Sequence, residues 1–487
     1  MGASLNTTAL AVFIAFFVLV TVIGFLASRW KAGDLTQLHE WGLGGRQFGT
    51  LITWFLVGGD FYTAYTVIAV PAAVFGNGAS GFFALPYTII VYPFVFMVMP
   101  RLWRICHKEN YITSADFVQG MYGGKWFPAA VALTGIVATM PYIALQLVGM
   151  QAVIKGLGIS GEIPLAVAFV ILALYTYSSG IRAPAMIAFV KDIMIYIVVI
   201  AAVCLIPTKL GGYGSVFDAA DHFFAAKGSG GIVLKPVQFS AYASLALGSA
   251  LAAFMYPHTM TAILSSASEK TIRKNAILLP AYTVLLGLIA LMGYMAITAG
   301  VKVESANDVV PQLFAKLFPD WFVGFAAAAI AISALVPAAI MSIGAANLFT
   351  RNLWKPLVNP NITPEQESSN AKLVSLLVKA GALVFIFVLS PKFAIELQLL
   401  GGMWVLQTFP AIVFTLFTRK LKLPGLFLGW AAGMACGTTM AFMVDLKAVY
   451  PVAGSPVYIG LIALAINLVV TLVVSAVMPA KQPALAH

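Results

Sequence analysis

Charge is what this chain of 487 residues has least of. Asp, Glu, Lys and Arg make up 9% of it, hydrophobic residues make up 61%, and the mean hydropathy is +0.96. A water-soluble domain carries about a quarter charged residues, so there is too little polar surface here to cover such a particle, and lipid must be the main solvent. Histidine is scarce as well. Of His39, His107, His222, His258 and His487, only His258 falls within an apolar run. That excludes a metal-ligand pair, and no nucleophile elbow or phosphate loop is present either. Cys106, Cys204 and Cys436 are far apart and lie in or beside apolar runs, with no metal or disulfide spacing. Alternating stretches of about ten residues, the mark of a membrane barrel, do not occur. No basic residue precedes the first apolar run, which therefore reads as a retained span and not a cleaved signal.

What the chain does have is long apolar runs. A bilayer crossing needs about 20 such residues, and backbone groups inside lipid must pair within their own segment, which forces helices. Thirteen spans are expected, near 8–30, 48–76, 81–105, 126–156, 162–179, 184–208, 238–266, 275–299, 320–349, 372–390, 393–418, 423–445 and 455–478. The net charge of +11 does not point to nucleic acid, because the basic residues sit in short loops between spans. With the N-terminus outside, 18 of the 28 Lys and Arg fall in inner loops and eight in outer loops. The positive-inside rule then sets the N-terminus out and the C-terminus in. The longest polar stretches are 209–237, read as a flexible glycine-rich loop, 300–319, and 351–371, read as a solvated connector. All are too short for an enzymatic domain. One all-α transmembrane domain over 1–480 with a cytoplasmic tail at 481–487 is expected.

Two spans are interrupted. Span 48–76 contains Gly58-Gly59-Asp60 near its middle. Each glycine costs about 1 kcal/mol in a helix, and an intramembrane carboxylate costs about 3 kcal/mol. Either the glycines admit a closely packed neighbour, or the helix breaks there to bind something. Span 238–266 contains Tyr256-Pro257-His258, where proline removes a helix donor. Interruptions at corresponding places in two halves are the mark of inverted-repeat transporters with a midplane site.

The residues around these breaks resemble the sodium:solute symporter family. Gly44-Gly45-Arg46 ahead of the first break, Val70-Pro71-Ala72-Ala73-Val74-Phe75, Tyr175-Thr176 with Gly180-Ile181-Arg182-Ala183, Tyr256-Pro257-His258 and Ala338-Ala339-Ile340-Met341-Ser342 match its motifs in order. The resemblance implies a five-plus-five inverted-repeat LeuT-like fold, with spans 2–11 (48–418) as the core and spans 1, 12 and 13 peripheral. It also implies broken first and sixth core helices. Gly59-Asp60-Phe61-Tyr62-Thr63-Ala64-Tyr65, Met140-Pro141-Tyr142-Ile143-Ala144-Leu145-Gln146 and Ala188-Phe189-Val190-Lys191-Asp192 look most like bacterial monocarboxylate permeases. Those take up lactate, pyruvate and small acids such as alanine, and pantothenate symporters are the competing branch. An inner (plasma) membrane location follows from the same resemblance.

The chain departs from the family where its shared sodium site should be. That site uses backbone carbonyls that match Gly59 and Tyr62, and a hydroxyl pair that here is Ser342 followed by Ile343. A hard cation wants oxygen ligands, and Ile343 removes one. The family often carries an Asp at the position of Ala188. One turn later stand Lys191 and Asp192, inside an apolar run. The Lys191 ammonium could take the place of sodium, making the driving ion a proton, with Asp192 as its partner. Alternatively, the pair lies near the inner surface and snorkels. Arg182 marks that end nine residues away, roughly 13 Å along a helix.

No arginine lies at the middle of a span to pin a carboxylate, so hydroxyls, amides and half-helix ends are the expected anion binders. The candidates are Thr63, Tyr65, Tyr142, Gln146, Tyr256, Trp404 and Gln407, while Asp60 is expected to be neutralised or to meet an ammonium group. No cofactor, catalytic residue, nucleic acid or obligate protein partner is indicated, leaving lipid and a small organic acid. A passive channel is the alternative from another class, and accumulation against a gradient separates the two.

Overall fold

The computed structural model describes residues 5–30, 33–59, 61–159, 163–388 and 394–478, with side chains left aside for 383–388. Asp60 and the tail 481–487 lie outside the described residues.

Each expected span contains described helical residues, with non-helical residues inside 48–76, 238–266 and 455–478. Among the described residues, nine helices are long and apolar enough to cross a membrane, or ten if the pair Pro236–Ala253 and Pro257–Leu264, bent by 48°, is one span. Thr50–Gly59 and Ile163–Ser179 are shorter apolar helices. The most hydropathic stretch of Asp320–Leu357 is 94% buried and that of Thr7–Arg29 only 17%, which puts the former at the centre and the latter on the rim. Alanine and glycine make the central position possible by letting neighbours approach closely. A Cβ on Gly324 would meet the Ala9 backbone at 2.2 Å, and one on Gly344 would meet Pro257 at 2.8 Å.

Two expectations need correction. The stretch 209–237 is not a flexible loop throughout, since Tyr213–Lys227 is a helix that buries Val216, Ala220 and Phe224. Those three recur every four residues, which gives the helix one apolar stripe, and Gly228 closes it in a left-handed conformation at φ 71°. The last span begins later than residue 455. Val449–Val452 and Ser455–Tyr458 form an antiparallel hairpin, and the helix proper is Ile459–Val477.

Residues 34–48 bind several helices together. Glu40 pairs with buried Arg182 at 2.5 Å, the Trp41 indole donates to the Tyr177 carbonyl, and Ser368 donates to the Leu35 carbonyl. Phe48 bridges to Ser266.

Candidate functional site

The first break starts from two glycines that admit two different neighbours. A Cβ on Gly58 would meet the Tyr282 ring at 2.3 Å, and one on Gly59 would meet Lys191 Nζ at 3.0 Å. The α-helix ends at Gly59, and regular winding resumes in a π-helical turn over Tyr65–Ala69 that leads into Val70–Asn77. Carbonyls and amides between these points lack helical partners and need others. The Ala64 amide donates to Gln146 Oε1 at 3.1 Å, the Tyr65 amide to Thr63 Oγ1 at 3.0 Å, and Thr66 Oγ1 to the Phe61 carbonyl.

Lys191, on the helix Arg182–Lys209, fills the remaining gap. Its Nζ donates to the Gly59 carbonyl at 2.6 Å and to the Tyr62 carbonyl at 2.9 Å, and lies 2.9 Å from Asp192 Oδ1. Tyr282 OH donates to Asp192 Oδ2 at 2.7 Å, and Tyr62 OH donates to the Tyr282 carbonyl at 3.3 Å. Lys191, Asp192 and Tyr62 are fully buried. Three oxygens around one compact positive charge make a cation seat, here filled by a tethered ammonium. Desolvating such a pair is expensive, and oxygen contacts of this quality are what make it tolerable.

The second break is repaired differently. Pro257 cannot donate, and the Ala253 carbonyl that a donor there would have reached is taken instead by Thr259 Oγ1 at 2.7 Å. Between the two breaks lies a narrow cavity with room for about one water molecule. Phe61, Tyr87, Tyr142, Tyr256, His258 and Gln398 form most of its wall. The Tyr142 ring packs on those of Tyr256 and His258, with centroids 5.3 and 5.4 Å apart. Three buried polar atoms in this region have no hydrogen-bond partner: Tyr65 OH, Gln146 Nε2 and Gln398 Oε1. Tyr65 OH and Gln146 Nε2 can donate to a ligand oxygen and Gln398 Oε1 can accept from a ligand hydroxyl or amine, and burial makes an unsatisfied group costly.

Nine of the expected residues fall into three groups. Gly59, Tyr62, Lys191 and Asp192 meet in the cation seat, and Thr63, Tyr65 and Gln146 line the break. Tyr142 and Tyr256 face the cavity. Ser342 does neither, since its hydroxyl turns back to the Ala339 carbonyl at 2.8 Å. Trp404 and Gln407 also lie elsewhere. The Trp404 indole donates to Thr438, and the Gln407 amide to the Met403 and Gly460 carbonyls, against the helices Leu423–Met443 and Ile459–Val477. At 100° per residue, Gln407 is half a turn out of phase with cavity-lining Gln398, so one helix cannot present both to the cavity. Gln398, Tyr87, Phe61 and Tyr282 escaped the sequence reading. Gln398 had a signal, an amide three residues before Gly401-Gly402, but Tyr282 had none.

Comparison with known proteins agrees with this architecture. The model of the sodium:solute symporter family matches residues 41–433. The chain is 63% identical to a "Monocarboxylate transport permease protein" of Rhizobium johnstonii over the whole of both chains. It is 33% identical to the uncharacterized symporter YodF of Bacillus subtilis, over 88% of this chain and 87% of that one. A solved Na+-coupled sialic acid symporter, substrate-bound and outward-open, superposes with a TM-score of 0.80 at 13% identity, covering 98% of this chain and 99% of that one. That likeness establishes the shared LeuT-like fold, and the relatives are transporters, not enzymes. The chain belongs to the sodium:solute symporter family, and is a multi-pass membrane transporter.

Proposed function

We propose that this protein is a secondary active transporter that imports small monocarboxylates such as lactate, pyruvate and alanine across the bacterial inner membrane. It works by alternating access and is driven by protons through Lys191. The observation that carries the proposal is the Lys191 ammonium on the Gly59 and Tyr62 carbonyls, the pair that the family resemblance assigns to sodium. A seat filled by a lysine is loaded by protonation and unloaded by deprotonation, with Asp192 and Tyr282 as the adjoining relay. The substrate reading draws on the name of the Rhizobium relative and on the unpartnered polar atoms of Tyr65, Gln146 and Gln398 near the two breaks. Gln146, Tyr65, Thr63, Tyr142 and Tyr256 are the proposed solute contacts.

Uptake into proteoliposomes tests this. An inward proton gradient at symmetric sodium should drive accumulation of labelled lactate or pyruvate, and a sodium gradient at symmetric pH should not. Lys191→Gln should abolish the pH-driven component. Accumulation on sodium alone, with pH dependence intact in Lys191→Gln, would instead favour a sodium-coupled symporter of pantothenate or another organic acid. Competition by acetate, alanine and pantothenate ranks the solutes, and failure of every short acid to compete defeats the monocarboxylate reading.

A further inference from the structure

The helix Ile459–Val477 lies beyond residue 433, where the match to the family ends, yet its N-cap residue reaches the wall of the cavity. Tyr458 is buried, and its hydroxyl donates to the Leu399 carbonyl at 2.7 Å. The adjoining carbonyl, that of Gln398, receives the Tyr256 hydroxyl at 2.7 Å. Two successive carbonyls of the helix Ile395–Val405 are therefore held by tyrosines from two other helices. Both hydroxyls need the glycines that follow. A Cβ on Gly401 would stand 2.8 Å from Tyr256 OH, and one on Gly402 would stand 2.8 Å from Tyr458 OH. A carbonyl that accepts a hydroxyl besides its helical amide tilts outward and loosens the helix at that point.

Tyr458 is also fixed from the other side. Its ring lies where a Cβ on Gly248 of the helix Phe239–Ala253 would be, 2.2 Å from Cδ1. Its amide donates to Ser244 Oγ at 2.9 Å, and Ser240 Oγ donates to the Pro456 carbonyl of the hairpin at 2.9 Å. The first half of the second broken span and the helix bearing Gln398 are thereby tied to one side chain, and each contributes to the cavity wall through Ala253 and Gln398.

We propose that Tyr458 is a positioning residue for the cavity. With the hairpin 449–458 it forms a latch that holds the helices Phe239–Ala253 and Ile395–Val405 together, and its release opens the cavity on the hairpin side. The latch rests on reading this cavity as the solute site, but the labelling that decides it requires neither the solute nor the driving ion. In a background with Cys106, Cys204 and Cys436 replaced by alanine, Ala253→Cys reports access to the cavity through its rate of labelling by a water-soluble maleimide. Tyr458→Phe keeps the ring and removes one buried hydrogen bond, so labelling should rise about tenfold, and the KM for uptake should rise more than the maximal rate falls. Gly402→Ala should raise labelling in the parent chain and add nothing in Tyr458→Phe, because both break the same contact. Labelling of Tyr458→Phe at the parent rate, or independent addition of the two effects, overturns the latch. If Tyr458→Phe does not fold, Ser244→Ala, which frees the Tyr458 amide, decides by the same increase or its absence.

Discussion

At the scale of single residues, Lys191 and Asp192 illustrate how charge stands out in an apolar run and how little it says about its partners. Two ionisable residues among Phe189, Val190, Ile193 and Met194 are conspicuous in the sequence. What they touch is backbone oxygen at Gly59 and Tyr62, more than 120 positions away, and the phenol of Tyr282. Backbone carbonyls leave no trace in residue identity, so these contacts were legible only through the family resemblance. The geometry predicts a sharp non-additivity. Removing one partner of a buried pair leaves an uncompensated charge and costs about 3–5 kcal/mol, whereas replacing both with apolar groups is nearly neutral. Lys191→Met and Asp192→Asn should each lower the thermal unfolding midpoint in detergent, and Lys191→Met combined with Asp192→Asn, which removes both charges but leaves the Gly59 and Tyr62 carbonyls without the ammonium, should recover part of the loss. A double variant as unstable as the sum of the singles would mean the two side chains do not act as a pair.

At the scale of elements, the two breaks are made from different materials. Glycine breaks the first by admitting Tyr282 and Lys191 close to the backbone, so close packing and an open helix turn out to be the same feature. Proline breaks the second by withholding a donor, and Thr259 repairs the loss two residues later. Both interruptions are visible in the sequence, but the repair at Thr259 is not, because a threonine in a helix has many roles. The helix Leu423–Met443 makes a similar point. Gly425, Gly429, Gly433 and Gly437 recur every four residues on one face, and only the structure shows that this face meets Thr471, Asn467 and Ala463 of the last helix. A Cβ on Gly429 would lie 2.0 Å from Thr471 Oγ1 and 2.5 Å from the Asn467 carbonyl. Gly429→Leu should therefore force the two helices apart at a cost of about 1–3 kcal/mol, read as a lower unfolding midpoint. Because the face lies away from the cavity, the KM of the protein that does fold should remain near its parent value. An unchanged midpoint would refute the close packing.

At the scale of the whole molecule, the proposed coupling makes a statement about charge movement. A monocarboxylate anion carried with one proton moves no net charge, and no second ion is invoked. A membrane potential of 100 mV is worth about 2.3 kcal/mol per elementary charge, so an electrogenic carrier would respond strongly to it. Uptake of lactate or pyruvate into proteoliposomes under a fixed pH gradient should hold its rate when a potassium diffusion potential is imposed. A severalfold acceleration by an inside-negative potential would rule out one-to-one electroneutral coupling.

The sequence by itself determined the solvent, the helical class, the family and the position of both breaks. The solvent, the helical class and the breaks follow from quantities local in the chain: the fraction of charge, the length of apolar runs, and glycine or proline in the middle of one; the family follows from the resemblance of its motifs. Tertiary structure alone decided which polar groups meet. It turned Gln407 away from the cavity and Gln398 toward it, sent Ser342 back to its own helix, and brought Tyr458 from the last helix onto the Leu399 carbonyl. Hydropathy and period say which face of a helix avoids water, but in a bundle whose helices are nearly all apolar they do not say which neighbour each face will find. Close approach at glycine and the pairing of stranded backbone groups settle that, and both act between segments far apart in the chain.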